Sequence, residues 1–115
     1  PSSAYPTLAA YANSLFDELK IHGALFGHAG DGNLHTINFA GKDDAAQQAI
    51  LHDFNDRVVK KAIDLGGTCT GEHGVGIGKR KYMVYEHGEG AISVMRSLKK
   101  LFDPHNMLNP DKILP

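Results

Sequence analysis

The sequence predicts an α+β fold: a short antiparallel sheet built on a β-hairpin and covered by helices. Three observations lead there. Apolar residues recur at helical spacing in three separate stretches, two β-prone runs flank the turn Gly30-Asp31-Gly32-Asn33, and a hairpin connection makes the sheet antiparallel.

In the first stretch, after Pro6 and Thr7, Leu8, Tyr11, Ala12, Leu15 and Leu19 recur at steps of three and four. This is the stripe of an amphipathic helix that closes near Gly23. Ala24 to His28 and Leu34 to Ala40 read as strands, because Asp-Gly is a strong signal for a tight hairpin turn. Asp43 or Asp44 caps a second helix carrying Ile50, Phe54, Val58, Ala62 and Leu65, which Gly66-Gly67 ends in the expected C-terminal position. Thr68, Cys69 and Thr70 form another short β-prone stretch. The run GEHGVGIG (71–78) follows, and four glycines in eight residues prevent regular structure from persisting. The last helix starts at about Glu89, turns Ile92, Met95, Leu98, Leu101 and Phe102 inward, and stops before Pro104, since the residue preceding a proline resists helical angles. The tail HNMLNPDKILP is turn and extended chain.

With 115 residues, of which 42% are hydrophobic, the chain is expected to form one compact unit. Its 12 basic and 13 acidic residues nearly cancel, so it carries no broad electrostatic footprint for nucleic acid or an anionic membrane. The single cysteine, Cys69, excludes an intrachain disulfide and a cysteine zinc site; it reads as a small buried thiol. No apolar run is long enough to span a bilayer, and no signal-peptide pattern is present. A cytoplasmic or peripherally membrane-associated location fits both. Because the sequence opens Pro1-Ser2-Ser3 without a methionine, an excised part of a longer protein is expected.

The stretch GHAGDGNLH (27–35) holds the first candidate site. If Asp31 and Gly32 form a two-residue loop, His28 faces His35 and Phe26 faces Ile37. Alternation then puts Phe26, His28, His35, Ile37 and Phe39 on one face of the sheet. Two imidazoles so placed can share one metal ion, or they can be a pair satisfied by backbone groups on a half-buried sheet. A third ligand candidate, Glu72, lies in the glycine-rich loop, and two histidines with one carboxylate leave a position open for substrate or water.

Glu72 and His73 are adjacent, and in a regular strand adjacent side chains point to opposite faces. Gly71 and Gly74 on either side relax that constraint. With Glu72 on a metal, His73 is free to accept a proton, since imidazole titrates near neutrality; otherwise the two form an exposed polar turn. Gly78-Lys79 is no P-loop, because His73 stands where a glycine is needed and Arg80 where Ser or Thr is needed. Gly74, Gly76 and Gly78 lack the dinucleotide spacing. Lys79 and Arg80 are candidates for holding a substrate carboxylate, or are a solvated basic cluster. His22, His52, His87 and His105 have no partner at ligand spacing and read as surface or cap residues.

GHAGDGNLH, GGTCTGEHGVGIGKR and FDPHNMLNPDKILP, in that order, resemble the C-terminal part of the FAD-linked D-2-hydroxy acid dehydrogenases and oxidases. That family includes cytochrome-type D-lactate dehydrogenases, the glycolate oxidase flavoprotein subunit and D-2-hydroxyglutarate dehydrogenases. The resemblance runs from about Pro6 to Pro115, and the middle motif looks most like the D-lactate branch. It implies that the whole chain, 1–115, is part of a ferredoxin-like cap domain that binds substrate, followed by the C-terminal helical tail. It also implies an FAD-binding domain elsewhere in the same protein, so that the chain alone would not turn over substrate.

By position, the resemblance implies that His28, His35 and Glu72 bind zinc or manganese and that His73 handles the proton of the substrate hydroxyl. The C2 hydrogen would leave as hydride to the flavin. Asn109, in LNPDK, would contact the flavin, and Asp111 replaces a glycine common after this Asn-Pro. Ile37 stands where the hydroxyglutarate enzymes tend to carry asparagine, with Asn38 pointing away, which favours D-lactate, glycolate or another short monocarboxylic 2-hydroxy acid. The electron acceptor stays open and a homo-oligomer is compatible with the sequence. The competing reading, from a different class, is a non-catalytic metal-binding or interaction module using the same hairpin.

Overall fold

The computed structural model describes residues 1–39, 41 and 44–115. Its elements are helix α1 (Tyr5–Leu19), strands β1 (Gly23–His28) and β2 (Asn33–Asn38), helix α2 (Ala45–Asp64) and helix α3 (Met83–Phe102). This is the expected α+β arrangement. The end of the second predicted strand at Ala40 and the alternative cap Asp43 lie outside the described residues. The chain divides into two compact units, Pro1–Thr68 and Cys69–Pro115, where composition alone had suggested one. No helix among the described residues is long and apolar enough to cross a membrane.

In the first unit, Pro6 sits in the opening turn of α1, where its missing N–H costs nothing. The predicted stripe faces inward: Ala12 and Leu15 are fully buried and join Phe54 of α2 in the core, flanked by Tyr11, Phe16, Leu19, Leu25, Leu34 and Val58. Phe16 and Phe54 stack with centroids 4.9 Å apart. Lys20, in the left-handed conformation, closes α1 before the predicted Gly23 is reached. Asp44 caps α2 by accepting from the Gln47 N–H at 3.0 Å, and Gly66, at φ 76°, takes the left-handed turn after its end.

β1 and β2 pair antiparallel as a two-stranded sheet. Leu25 and Leu34 pack one face of it onto the core. The third strand expected at Thr68–Thr70 is absent among the described residues. A strand needs a neighbour for its backbone groups, and the Cys69 N–H instead donates to the Glu86 carboxylate at 2.8 Å.

In the second unit, the glycine-rich stretch is turn and irregular chain, as expected. Helix α3 begins at Met83, earlier than the predicted Glu89, but Gly88 (φ 76°, ψ 157°) breaks it into two runs, and the longer one starts where the apolar periodicity does. Ile92 is fully buried, with Cys69, Tyr82 and Met83 also inside. Leu98, Leu101 and Phe102 were expected inward; they are 51%, 72% and 78% exposed. Helical spacing shows which face is apolar, whereas covering it requires another element, which this unit does not supply.

After α3 the chain is organised by Asp103. Its buried carboxylate accepts from the N–H groups of Met107 (2.8 Å) and Leu108 (2.9 Å) and from the ammonium of Lys99.

Candidate functional site

The hairpin differs from its predicted form by two residues of register. The loop is four residues long: Ala29, Gly30 and Asp31 form a single 3₁₀ turn, and Gly32 at φ 73° completes the reversal. His28 therefore pairs with Asn33, and Phe26 with His35, in place of the expected His28–His35 and Phe26–Ile37 pairs. The physical reason is the tight 3₁₀ turn, closed by the Gly32 N–H donating to the Ala29 carbonyl at 3.2 Å.

Because side chains alternate with period two, a shift of two leaves each residue on its predicted face. His28 and His35 become diagonal neighbours, with ring centroids 5.6 Å apart and planes at 85°. Phe26 stacks on His35 at 5.1 Å, buttressing one side of that ring. Ile37 shares this face. Asn38 does not: its Oδ1 is buried on the side of Gly23, with no hydrogen-bond partner.

Gly27 makes the close approach of the strands possible. A Cβ there would stand 2.1 Å from the Asn33 carbonyl oxygen, in a backbone conformation (φ 155°) that side chains rarely adopt. The sequence thus places a glycine immediately before each of two features: the first histidine, and Asn33 at the start of the returning strand.

In the second unit, Gly71 (φ 55°), Gly74 (φ 78°) and Gly76 (φ 51°) bend the chain around Glu72 and His73. The His73 N–H donates to the Thr70 carbonyl at 3.2 Å. His73 Nε2 lies 3.7 Å from Glu72 Oε1, so the turn brings these adjacent side chains to one side, as the flanking glycines were expected to allow. Both are exposed.

Lys79 is half-buried, and that burial lowers its pKa from the ordinary lysine value; its Nζ lies 5.8 Å from the centre of the Tyr82 ring. Arg80 donates through Nη1 to the Asp111 carbonyl at 2.7 Å. Asn109 is exposed at φ 47°, and Asp111, where the resemblance has glycine, keeps a left-handed φ of 59°. Sequence reasoning passed over Asp103, although an aspartate between a helix end and Pro104 is a recognisable turn-former. It also passed over Arg96, whose guanidinium grips the Pro115 main-chain oxygen from Nε (3.1 Å) and Nη2 (2.8 Å). An exposed helical arginine carries no sequence signal of such a contact.

Against known protein families, residues 1–113 match "FAD linked oxidases, C-terminal domain". The chain belongs to this family. Relatives of the FAD-linked oxidase chain include the mitochondrial D-lactate dehydrogenase [cytochrome] of Kluyveromyces lactis, 47% identical over 104 residues that cover 88% of this chain and 18% of the relative. The glycolate oxidase subunit GlcD of Bacillus subtilis is 41% identical over 118 residues, covering 98% and 24%. The mitochondrial D-lactate dehydrogenase [cytochrome] of Arabidopsis thaliana is 36% identical over 115 residues, covering 100% and 20%. The chain thus spans about a fifth of the length of these relatives.

Proposed function

We propose that this chain is the substrate-side, C-terminal part of an FAD-dependent dehydrogenase that oxidises a short D-2-hydroxy acid, of the D-lactate or glycolate type, to the 2-oxo acid. In this reading His28, His35 and Glu72 hold a divalent metal, zinc or manganese, and His73 is the catalytic base. The observation that carries it is the pair of imidazoles on one sheet face, 5.6 Å apart. Two histidines sharing one tetrahedral ion at about 2.0–2.1 Å have centroids roughly 5 to 6 Å apart. Two neutral imidazoles and a carboxylate are also a donor set suited to zinc or manganese.

When bound, such a metal supplies Lewis-acid polarisation of the substrate hydroxyl. FAD, held mainly by the part of the protein outside this chain, supplies the hydride acceptor. The chain's own residues do the rest. His73 accepts the hydroxyl proton on a ring nitrogen, beside the Glu72 carboxylate in the same turn. Lys79 and Arg80 hold the substrate carboxylate; Arg80 spends Nη1 on Asp111 and keeps further N–H donors for the substrate. Ile37, on the same sheet face as the histidines, offers an apolar side chain that suits a methyl group better than a second carboxylate. Asn109 contacts the flavin.

In the full-length enzyme, His73→Ala should abolish flavin reduction while leaving metal content intact, and His35→Ala should remove the metal. Undiminished flavin reduction in the first variant would refute the base; retained metal in the second would refute the ligand set.

A further inference from the structure

We infer that residues 109–115 form a strap that positions the loop carrying Glu72 and His73, with Arg80 and Arg96 as its positioning residues. The inference that this positioning serves a site rests on the function proposed above; the strap itself rests on geometry within the second unit.

The loop needs an external restraint. Its glycines give it conformational freedom, three of them at positive φ, and its own backbone ties are isolated turns: the His73 N–H to Thr70, the Lys79 N–H to Val75 and the Arg80 N–H to Ile77. The restraint comes from the tail. The Ile113 N–H donates to the Gly76 carbonyl at 2.8 Å, tying the tail to the loop at its centre. On the N-terminal side of that tie, Arg80 Nη1 holds the Asp111 carbonyl at 2.7 Å. On the other side, Arg96 of α3 holds the Pro115 oxygen with two nitrogens, while its Nη1 is oriented by Glu89 at 2.8 Å.

The strap that these anchors hold is in a conformation it would not choose. Asn109, Asp111 and Ile113 all have positive φ, at 47°, 59° and 67°. For a β-branched isoleucine this region is strongly disfavoured, and such strain persists only where surrounding contacts over-determine it. Here the two arginines supply those contacts. Displacing a reacting group by about 1 Å can cost on the order of a hundredfold in rate, so a glycine-rich loop bearing a ligand and a base gains from a fixed backstop.

The test uses amide hydrogen exchange and titration with zinc and manganese on the full-length protein, comparing it with Arg96→Ala, Arg96→Lys and Glu89→Gln. Charge-assisted hydrogen bonds are strong enough that Arg96→Ala should speed exchange at Ile113 and across 74–79 by about tenfold or more. The amides around Ile92 should be unchanged, Arg96→Lys should recover part of the protection, and Glu89→Gln should leave the loop as it is. Deleting residues 113–115 should reproduce the loop effect by a route that leaves α3 intact. Unchanged exchange in the loop, or equal acceleration throughout α3, overturns the strap. If the wild-type protein binds either metal, a weaker affinity in Arg96→Ala supports positioning, and an equal affinity with a loosened loop overturns it. A wild-type protein with affinity for neither zinc nor manganese overturns the proposed metal site instead, and exchange alone then decides the strap.

Discussion

Replacing Gly27 by alanine should unseat the hairpin on which both histidines are carried. The added Cβ would lie 2.1 Å from the Asn33 carbonyl oxygen, whereas real Cβ atoms essentially never come within 3.0 Å of such an atom. The strands must therefore part by about 0.9 Å at this pair, enough to take the two ladder hydrogen bonds nearest it out of range, at about 1 kcal/mol each. Holding alanine near φ 155° adds about 1–3 kcal/mol of backbone strain. The expected loss is about 3–5 kcal/mol, a large part of the roughly 3–10 kcal/mol that stabilises a unit of this size. Gly30→Ala is the matched control: a Cβ there meets nothing within 4 Å, so its effect should stay within about 0.5 kcal/mol. Urea titrations followed by circular dichroism would compare the two variants, with zinc titration as a second readout. If Gly27→Ala costs less than about 1 kcal/mol, or no more than Gly30→Ala, the close strand approach is not what fixes the histidine pair.

Two further outcomes follow from ionisable groups in the second unit. The Lys99 ammonium, aided by the Leu108 and Met107 N–H groups, holds the Asp103 carboxyl below its ordinary value of 3.8. A folded-state pKa below the unfolded one contributes stability that is present above the unfolded value and lost as pH falls through the folded value. Asp103→Asn should accordingly lower the urea midpoint near pH 7, with the difference from wild type shrinking below about pH 4; an equal difference at both ends would contradict this account. Burial, and then the neighbouring Glu86 carboxylate, push the Cys69 thiol up to about 11. Native chain should therefore react slowly with a disulfide reagent near pH 8 and about tenfold faster per added pH unit, whereas fast labelling at neutral pH would show an accessible thiolate.

The elements that were legible in the sequence are those whose signals are local. The α1 stripe, the Asp44 cap and the Gly66 turn each depend on residues within a few positions of one another, and the structure has all three. The features that were not legible depend on partners. A β-prone Thr68–Thr70 becomes a strand only if another strand presents its edge, and the Cys69 N–H found a side-chain carboxylate instead. The inward assignment of Leu98, Leu101 and Phe102 failed for the same reason: periodicity names a face, and only the presence of a neighbour buries it. Arg96 and Asp103 escaped notice because their partners are backbone groups of the tail, which carry no side-chain identity to read.

The register error at the hairpin shows why a site can be foreseen when its geometry is not. Loop length decides which residues stand opposite each other, and here Asp31 is in a 3₁₀ turn with Ala29 and Gly30, so the loop is two residues longer than an Asp-Gly pair suggests. The face on which a side chain emerges is set separately, by the demand that Leu25 and Leu34 pack inward. An error of one residue would have violated that demand and sent His35 to the core; an error of two satisfies it, changing an opposed pair into a diagonal one. In the observed register Phe26 stands directly across from His35, and its ring lies against the imidazole. The position of His35 is consequently fixed from two sides, by the core through its strand and by an aromatic ring on its own face. Substituting Phe26 with a smaller residue would leave the register intact and release only the ring.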